Sequence, residues 1–301
     1  MEKTNFKKII IAMITILIVM GIGVGIAFAG SYNGYLAFAS LPLFTFGVIL
    51  AFSIQWIAFI PAYIFKTEKF YDITGSLTYM TVIILAVVLG PPITIRTGII
   101  LALVLLWTTR LGYFLFRRVL RAGEDKRFKE IKQSFLSFLR AWTIQGLWVT
   151  FTISAALAAV TIEQPSEYNA YEWIGLIIGI VIWVLGFAFE SIADYQKSKF
   201  RKVPENKGKF INVGLWSISR HPNYFGEITL WFGMTLIALP TLEAWRFFTL
   251  ISPIFVFLLI FFVSGVPMLE KYADNKWGGQ EDYENYKKNT SVLIPWLRYK
   301  K

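Results

Sequence analysis

An all-α, polytopic transmembrane helical bundle is the fold this sequence predicts, and three observations carry the prediction. Hydrophobic residues make up 56% of the 301-residue chain, far more than a water-facing surface needs. Apolar runs of about 20 residues recur, the length required to cross the hydrocarbon core of a bilayer. No long polar linker separates them, so residues 1–301 read as a single integral membrane domain.

Eight spans are expected, at about 9–29, 41–65, 77–90, 98–116, 141–161, 173–193, 225–240 and 247–266. The third is short and ends at Gly-Pro-Pro, and the seventh opens on polar residues, so the count is seven to eight. The first run ends on Ala27-Phe28-Ala29, which also resembles a signal-peptide cleavage site, but its apolar stretch is long for that role. Orientation follows from the basic residues. Of the 30 Lys and Arg, 27 fall in the N-terminal segment, the C-terminal segment and alternate loops. Only Arg96 and Arg246 fall in the opposite loops, and Arg110 sits within a span. Both termini are therefore expected in the cytoplasm. The net charge of +11 reads as membrane topology and not as affinity for nucleic acid.

Composition also excludes chemistry. The chain has no cysteine, which removes disulfides, thiol catalysis and thiolate metal ligands. A single histidine makes a zinc or di-iron site an unexpected feature. No internal repeat or low-complexity segment is visible, which argues against a transporter built from duplicated halves.

Charged residues in or beside spans are costly and mark function. Four places stand out, all in the expected cytoplasmic half. Glu190 and Asp194 end the sixth span at spacing i, i+4, so two like charges share one helix face and need a counter-charge, a bound hydroxyl or a proton. Arg201, seven residues beyond Asp194, returns to that face if the helix continues; a solvated helix end with local ion pairs is the competing reading. The second place is the stretch SISRHPNYFGE, Ser217 to Glu227. Pro222 suits the first position of a helix, which would place Asn223, Gly226 and Glu227 on one face. A helix start offers free N–H groups to an anion, and Arg220, Lys207 and Lys209 lie in the same loop. The competing reading is an interfacial loop against lipid headgroups. His221 is expected to position a ligand or backbone more than to transfer a proton.

Arg110 in the fourth span needs an acidic partner or a phosphate, and Arg117 follows two turns on. The Arg118–Arg127 portion reads as a juxtamembrane basic face. Finally, Tyr71 and Asp72 stand beside the third apolar run. Either can donate a proton, and Asp72 can equally cap the helix that follows.

The segments RLGYFLFRRVLRAGEDKRF, FESIADYQKSKFR, GLWSISRHPNYFGEITLWFG and EDYENYKKNTSVLIPW occur here in that order. Together with KFYDITGSLTY they resemble the bacterial branch of the steroid 5α-reductase family. The resemblance covers residues 67–301, with a cofactor-binding half at 190–301, and leaves the spans of 1–66 generic. It implies NADPH bound from the cytoplasmic side and hydride transfer to a carbon–carbon double bond conjugated to a ketone. The substrate would be a hydrophobic small molecule entering from lipid and carrying a conjugated ketone, as in a 3-oxo-4-ene steroid. Asp194, Arg201 and Asn223 match the family's cofactor-binding positions, Glu227 the acid of its Asn-x-x-Gly-Glu block, and Arg110 the arginine of its fourth-span block. Arg117, Glu190, Arg220, His221 and Tyr224 join that expected cofactor set, although steroid-reducing members often carry asparagine at the position of Glu190.

The substrate half departs from the family. Gln55 is followed by Trp56 where animal members have a Gln-Glu pair, and Trp107 stands at the expected tyrosine. Asp72 and Tyr71 are the substitutes expected as catalytic donors. A rival class shares the motif centre: membrane methyltransferases of the isoprenylcysteine and phospholipid type also carry Arg-His-Pro-x-Tyr-x-Gly and bind S-adenosylmethionine. Asn223, Glu227 and the Asp194–Arg201 segment favour the reductase. Beyond membrane lipids and substrate, neither nucleic acid nor an obligate protein partner is expected, and the bacterial inner membrane is the expected location.

Overall fold

The computed structural model describes residues 2–122, 128–165 and 167–296. Among them the chain is helical, with no β-strand beyond one isolated bridge, Leu36 with Pro42. The helices are α1 (Glu2–Gly30), α2 (Leu43–Ile64), α3 (Tyr71–Val88), α4 (Ile95–Ala122), α5 (Phe135–Val160), α6 (Ala170–Lys202), α7 (Pro222–Ala238), α8 (Ile251–Leu258), α9 (Val266–Trp277) and α10 (Glu281–Asn289). Among the described residues, seven helices are long and apolar enough to cross a membrane: the first six and the continuous run Ala244–Trp277. This makes the chain an integral membrane protein. That last run passes from a 3-10 turn through α8 and a π-helical segment, Leu259–Ser264, into α9. The expected 225–240 span forms α7, whose 17 residues reach about 25 Å at ~1.5 Å per residue, short of a ~30 Å hydrocarbon core.

The third span begins at Tyr71, six residues before its expected start. Its polar opening is helical because the hydroxyls bond within the helix: Thr74 Oγ1 donates to Phe70 O at 2.7 Å and Thr78 Oγ1 to Thr74 O at 2.7 Å. Such back-bonding hides the polar groups that made the stretch read as a loop. Phe70 occupies the N-cap position, so Asp72 sits in the first turn and does not cap the helix.

The chain divides into two compact units. The first comprises residues 1–173 and 238–251. There α2 packs on α5 and α3, α3 on α4, and α1 on α5 and α2. Every residue of α5 from Thr152 to Val160 is buried. Its small side chains, Ser154 to Ala156 and Ala158 to Ala159, let neighbours approach on all sides, as helix packing in a bilayer requires. Ser134 caps its start by accepting from the Ser137 N–H.

Arg96 and Arg246, the two exceptions to the charge bias, are both fully buried in this unit. Arg246 donates to Ala158 O at 2.8 Å and to Thr161 O at 3.3 Å, satisfying carbonyls orphaned at the end of α5. Arg96 donates to Gln164 Oε1 at 3.3 Å and to Glu172 O at 3.4 Å, and its guanidinium lies 4.4 Å from the Tyr168 ring centroid. Both arginines are helix-end fasteners.

The second unit comprises residues 174–237 and 252–301. Its α6 and α7 run antiparallel with their backbones in direct contact. A Cβ on Gly186 would lie 2.4 Å from Leu230 N, and one on Gly226 would lie 2.4 Å from Glu190 N. Gly179 and Gly233 repeat the pattern one heptad away, against Ile237 N at 2.7 Å and Trp183 N at 2.5 Å. The spacing of seven puts each helix's pair on one face.

Candidate functional site

The loop after α6 is pinned to that helix before it reaches α7. Leu215 N–H donates to Gln196 Oε1 at 2.9 Å, and Trp216 Nε1 to Ala193 O at 3.0 Å. The C-terminal segment holds it from the other side: Arg220 N–H donates to Ser291 O at 2.9 Å, Ser219 Oγ to Leu293 O at 2.7 Å, and Trp296 N–H to Ile218 O at 3.0 Å. Thus clamped, Ser219–His221 enters α7 with Pro222 at its first position, as the sequence predicts, and Phe225 N–H returns to His221 O at 3.2 Å.

A cleft of about 150 Å³ opens there, walled by the ends of α6, α9 and α10 and by the loop. Lys197, Arg201, Lys209 and Arg220 supply cationic lining. Aromatic rings supply much of the rest: Phe210 lies 5.9, 5.3 and 5.2 Å from Trp277, Tyr283 and Tyr286. A space this size accepts one ring system and not a whole drug-sized ligand, whose pockets run to roughly 300–1,000 Å³.

Glu270 of α9 organises the polar floor. Its Oε1 lies 2.7 Å from His221 Nε2, and its Oε2 lies 3.0 Å from Arg220 Nη2. Arg220 Nη1 also donates to Lys287 O at 2.8 Å, so both terminal nitrogens are already engaged. Tyr224 stacks on His221 with centroids 5.7 Å apart. His221 is buried, and burial pushes its pKa below the ordinary histidine value; Lys197 and Arg220 add to this, while the hydrogen bond and charge of Glu270 pull the other way. Beside it, Tyr283 donates to Asp274 Oδ1 at 2.9 Å, and burial followed by that bond pushes its pKa up.

Of the residues expected from sequence, Arg201, Arg220 and His221 line this cleft. Glu190 and Asp194 are buried on α6, where Gly226 meets the Glu190 backbone. Asn223, Tyr224 and Glu227 are half-buried on the first turns of α7. The remaining four belong to the first unit. Arg110 is half-buried on α4, and Arg117 is exposed and donates to Tyr113 Oη at 2.8 Å. Tyr71 donates its hydroxyl proton to Ala141 O at 2.9 Å and packs tilted against Phe128 and edge-on against Trp142, while Asp72 is half-buried in the first turn of α3. The side chains of 118–122 and all of 123–127, expected to serve as a basic face, lie outside the described residues.

Sequence reasoning missed Glu270, the residue joining Arg220 to His221. Its signal was an acid just beyond the last apolar run, in a segment that otherwise reads as a solvated helix end.

Three unsatisfied atoms belong to this region. His221 Nδ1, Arg220 Nε and Asn223 Oδ1 are buried with no hydrogen-bond partner among the described residues. Cations, flat rings and unspent polar atoms together suit a nucleotide-like ligand.

A helical membrane protein with a basic, aromatic-walled cleft is the class that fold and site define. The chain belongs to the family described as "Protein of unknown function (DUF1295)", whose model matches residues 58–290. It is 26% identical over 137 residues to "3-oxo-5-alpha-steroid 4-dehydrogenase 1" of Bos taurus, covering 44% of this chain and 48% of that protein. The Mus musculus protein of the same name is 24% identical over 149 residues, 48% of this chain and 52% of its own length. "Probable O-methyltransferase ustE" of Ustilaginoidea virens is 31% identical over 104 residues, 30% of this chain and 36% of that protein. The chain thus spans about half, or less, of the length of these curated relatives. The two dehydrogenases agree with the resemblance to the steroid 5α-reductase family. No solved structure matches the chain.

Proposed function

We propose that this protein is a membrane-embedded reductase that seats one ring of NADPH in the cleft of the second unit and reduces the double bond of a hydrophobic enone. The observation that carries the reading is the cleft itself, where four cations surround an aromatic wall and unsatisfied polar atoms. Lys197, Arg201 and Lys209 would hold phosphate, and Phe210, Trp277 and Tyr283 would face a flat ring. Asp194, Asn223 and Glu227 offer acceptors and an amide to ribose hydroxyls and a carboxamide. When bound, NADPH supplies the hydride. Charge then develops on the enone oxygen and needs a donor. Tyr71, which donates to Ala141 O in this structure, and Asp72 are the donors that the sequence offers to this reading. The charge bias supports a cytoplasmic cleft and cytoplasmic termini, in the inner membrane of a bacterium.

A second reading has its own support. The methyltransferase relative matches at 31% identity, and a one-ring cleft suits S-adenosylmethionine, which carries no phosphate. Thermal unfolding of the detergent-purified chain separates the two. At 100-fold excess over Kd a ligand of the folded state contributes about 2.7 kcal/mol. NADPH is expected to raise the midpoint and S-adenosylmethionine to leave it unmoved. A rise with S-adenosylmethionine alone would sink the reductase.

A further inference from the structure

His221 is the only histidine in the chain, and its two ring nitrogens meet opposite surroundings. Nε2 lies 2.7 Å from a carboxylate oxygen of Glu270, which can only accept. That oxygen's partner is tied to Arg220 at 3.0 Å, so the carboxylate keeps its charge and its orientation. Nε2 must therefore carry the proton. Nδ1 is buried and has no hydrogen-bond partner among the described residues. Among the described residues, the charged and titratable groups that act on the ring or stack against it are Glu270 of α9, Lys197 of α6, Arg220 of the loop and Tyr224 of α7. None of them is bonded to Nδ1. A buried acceptor left unsatisfied costs stability unless a ligand satisfies it, and His221 lines the cleft.

We propose that Glu270 is a positioning residue: it fixes His221 as the Nε2–H tautomer, so that Nδ1 accepts from an N–H donor on the ligand. The donor is an exocyclic NH₂ on a flat ring. A nicotinamide carboxamide and an aminopurine edge share that chemistry. The identity of the ligand rests on the reductase reading, but the tautomer does not.

The lone histidine makes the test direct. In the full chain labelled with ¹⁵N-histidine, the ring gives one pair of nitrogen resonances. Without ligand they are expected as a protonated Nε2 and a bare Nδ1 at neutral pH; a protonated Nδ1, or an imidazolium, overturns the proposal. Reduced nicotinamide mononucleotide and adenosine 2′,5′-bisphosphate are then added separately. A shift of Nδ1 toward a hydrogen-bonded acceptor with either one supports the proposal and says which half of the cofactor lies there. NADPH binding that leaves Nδ1 unmoved overturns the ligand contact while sparing the reductase. A shift with S-adenosylmethionine and none with NADPH does the reverse, because that ligand carries the same aminopurine edge. Glu270→Gln removes the charge and lets its amide donate to Nε2. Mixed tautomers and about tenfold weaker binding are expected. An unchanged single tautomer with unchanged affinity shows that Glu270 does not position His221.

Discussion

Arginine is used in two ways in this molecule, and the contrast shows what marks a site. Arg246 and Arg96 in the first unit have no exposure, and each spends its guanidinium on helix-end carbonyls or loop side chains. Arg201 and Arg220 in the second unit line a cleft. An unsatisfied Nε does not distinguish them, since Arg96, Arg246 and Arg220 all have one. What differs is access. The first pair is closed around the chain's own carbonyls, whereas the second borders a space shared with aromatic rings and two lysines.

The largest test of that contrast is Arg246→Leu. It strips charged donors from the end of α5 and is expected to cost about 3 kcal/mol or more, read as a lowered unfolding midpoint. NADPH affinity per folded molecule should not change; a selective loss of affinity at full stability would erase the distinction. Next comes Arg201→Gln. Losing one charge-assisted phosphate contact should weaken NADPH binding about tenfold with an unaltered midpoint. Equal affinity would remove Arg201 from the site.

The smallest effect is pH dependence. Because burial depresses the His221 pKa, the unfolded chain takes up that proton first as pH falls. The contribution to stability is then complete above the ordinary histidine value of about 6.5 and is lost as pH drops through the lower folded value. His221→Gln should flatten this part of a midpoint-against-pH curve. An identical slope in both proteins would assign it to other groups.

Much of the bundle was legible because apolar length is a direct consequence of the bilayer. The errors have physical causes. The start of α3 was missed because hydroxyls bonded to their own helix still count as polar in a sequence. The last span was cut short because the chain carries helical structure through a π-segment to Trp277, well past the apolar run. Charge sorting isolated Arg96 and Arg246 as exceptions but gave no reason for them; their partners, Gln164 and Ala158, are set by tertiary contact. In the site, the local grammar of Arg220, His221 and Pro222 was readable. Glu270 was not, because its importance depends on a partner 49 residues away in the chain.

The glycines joining α6 and α7 carry one more implication, for sequence variation. Where backbone meets backbone at 2.4 to 2.7 Å from a hypothetical Cβ, no neighbouring side chain can shrink in compensation. Positions 179, 186, 226 and 233 should therefore behave as a lock on helix register that no second mutation opens. In a saturation library scored for folded protein, those four columns should admit little but glycine, while exposed neighbours such as Ile177, Ile178 and Val181 exchange freely among apolar residues. The vertical offset between the acids of α6 and the amide of α7 would then be inherited as a fixed quantity, leaving evolution to retune the chemistry around it one side chain at a time.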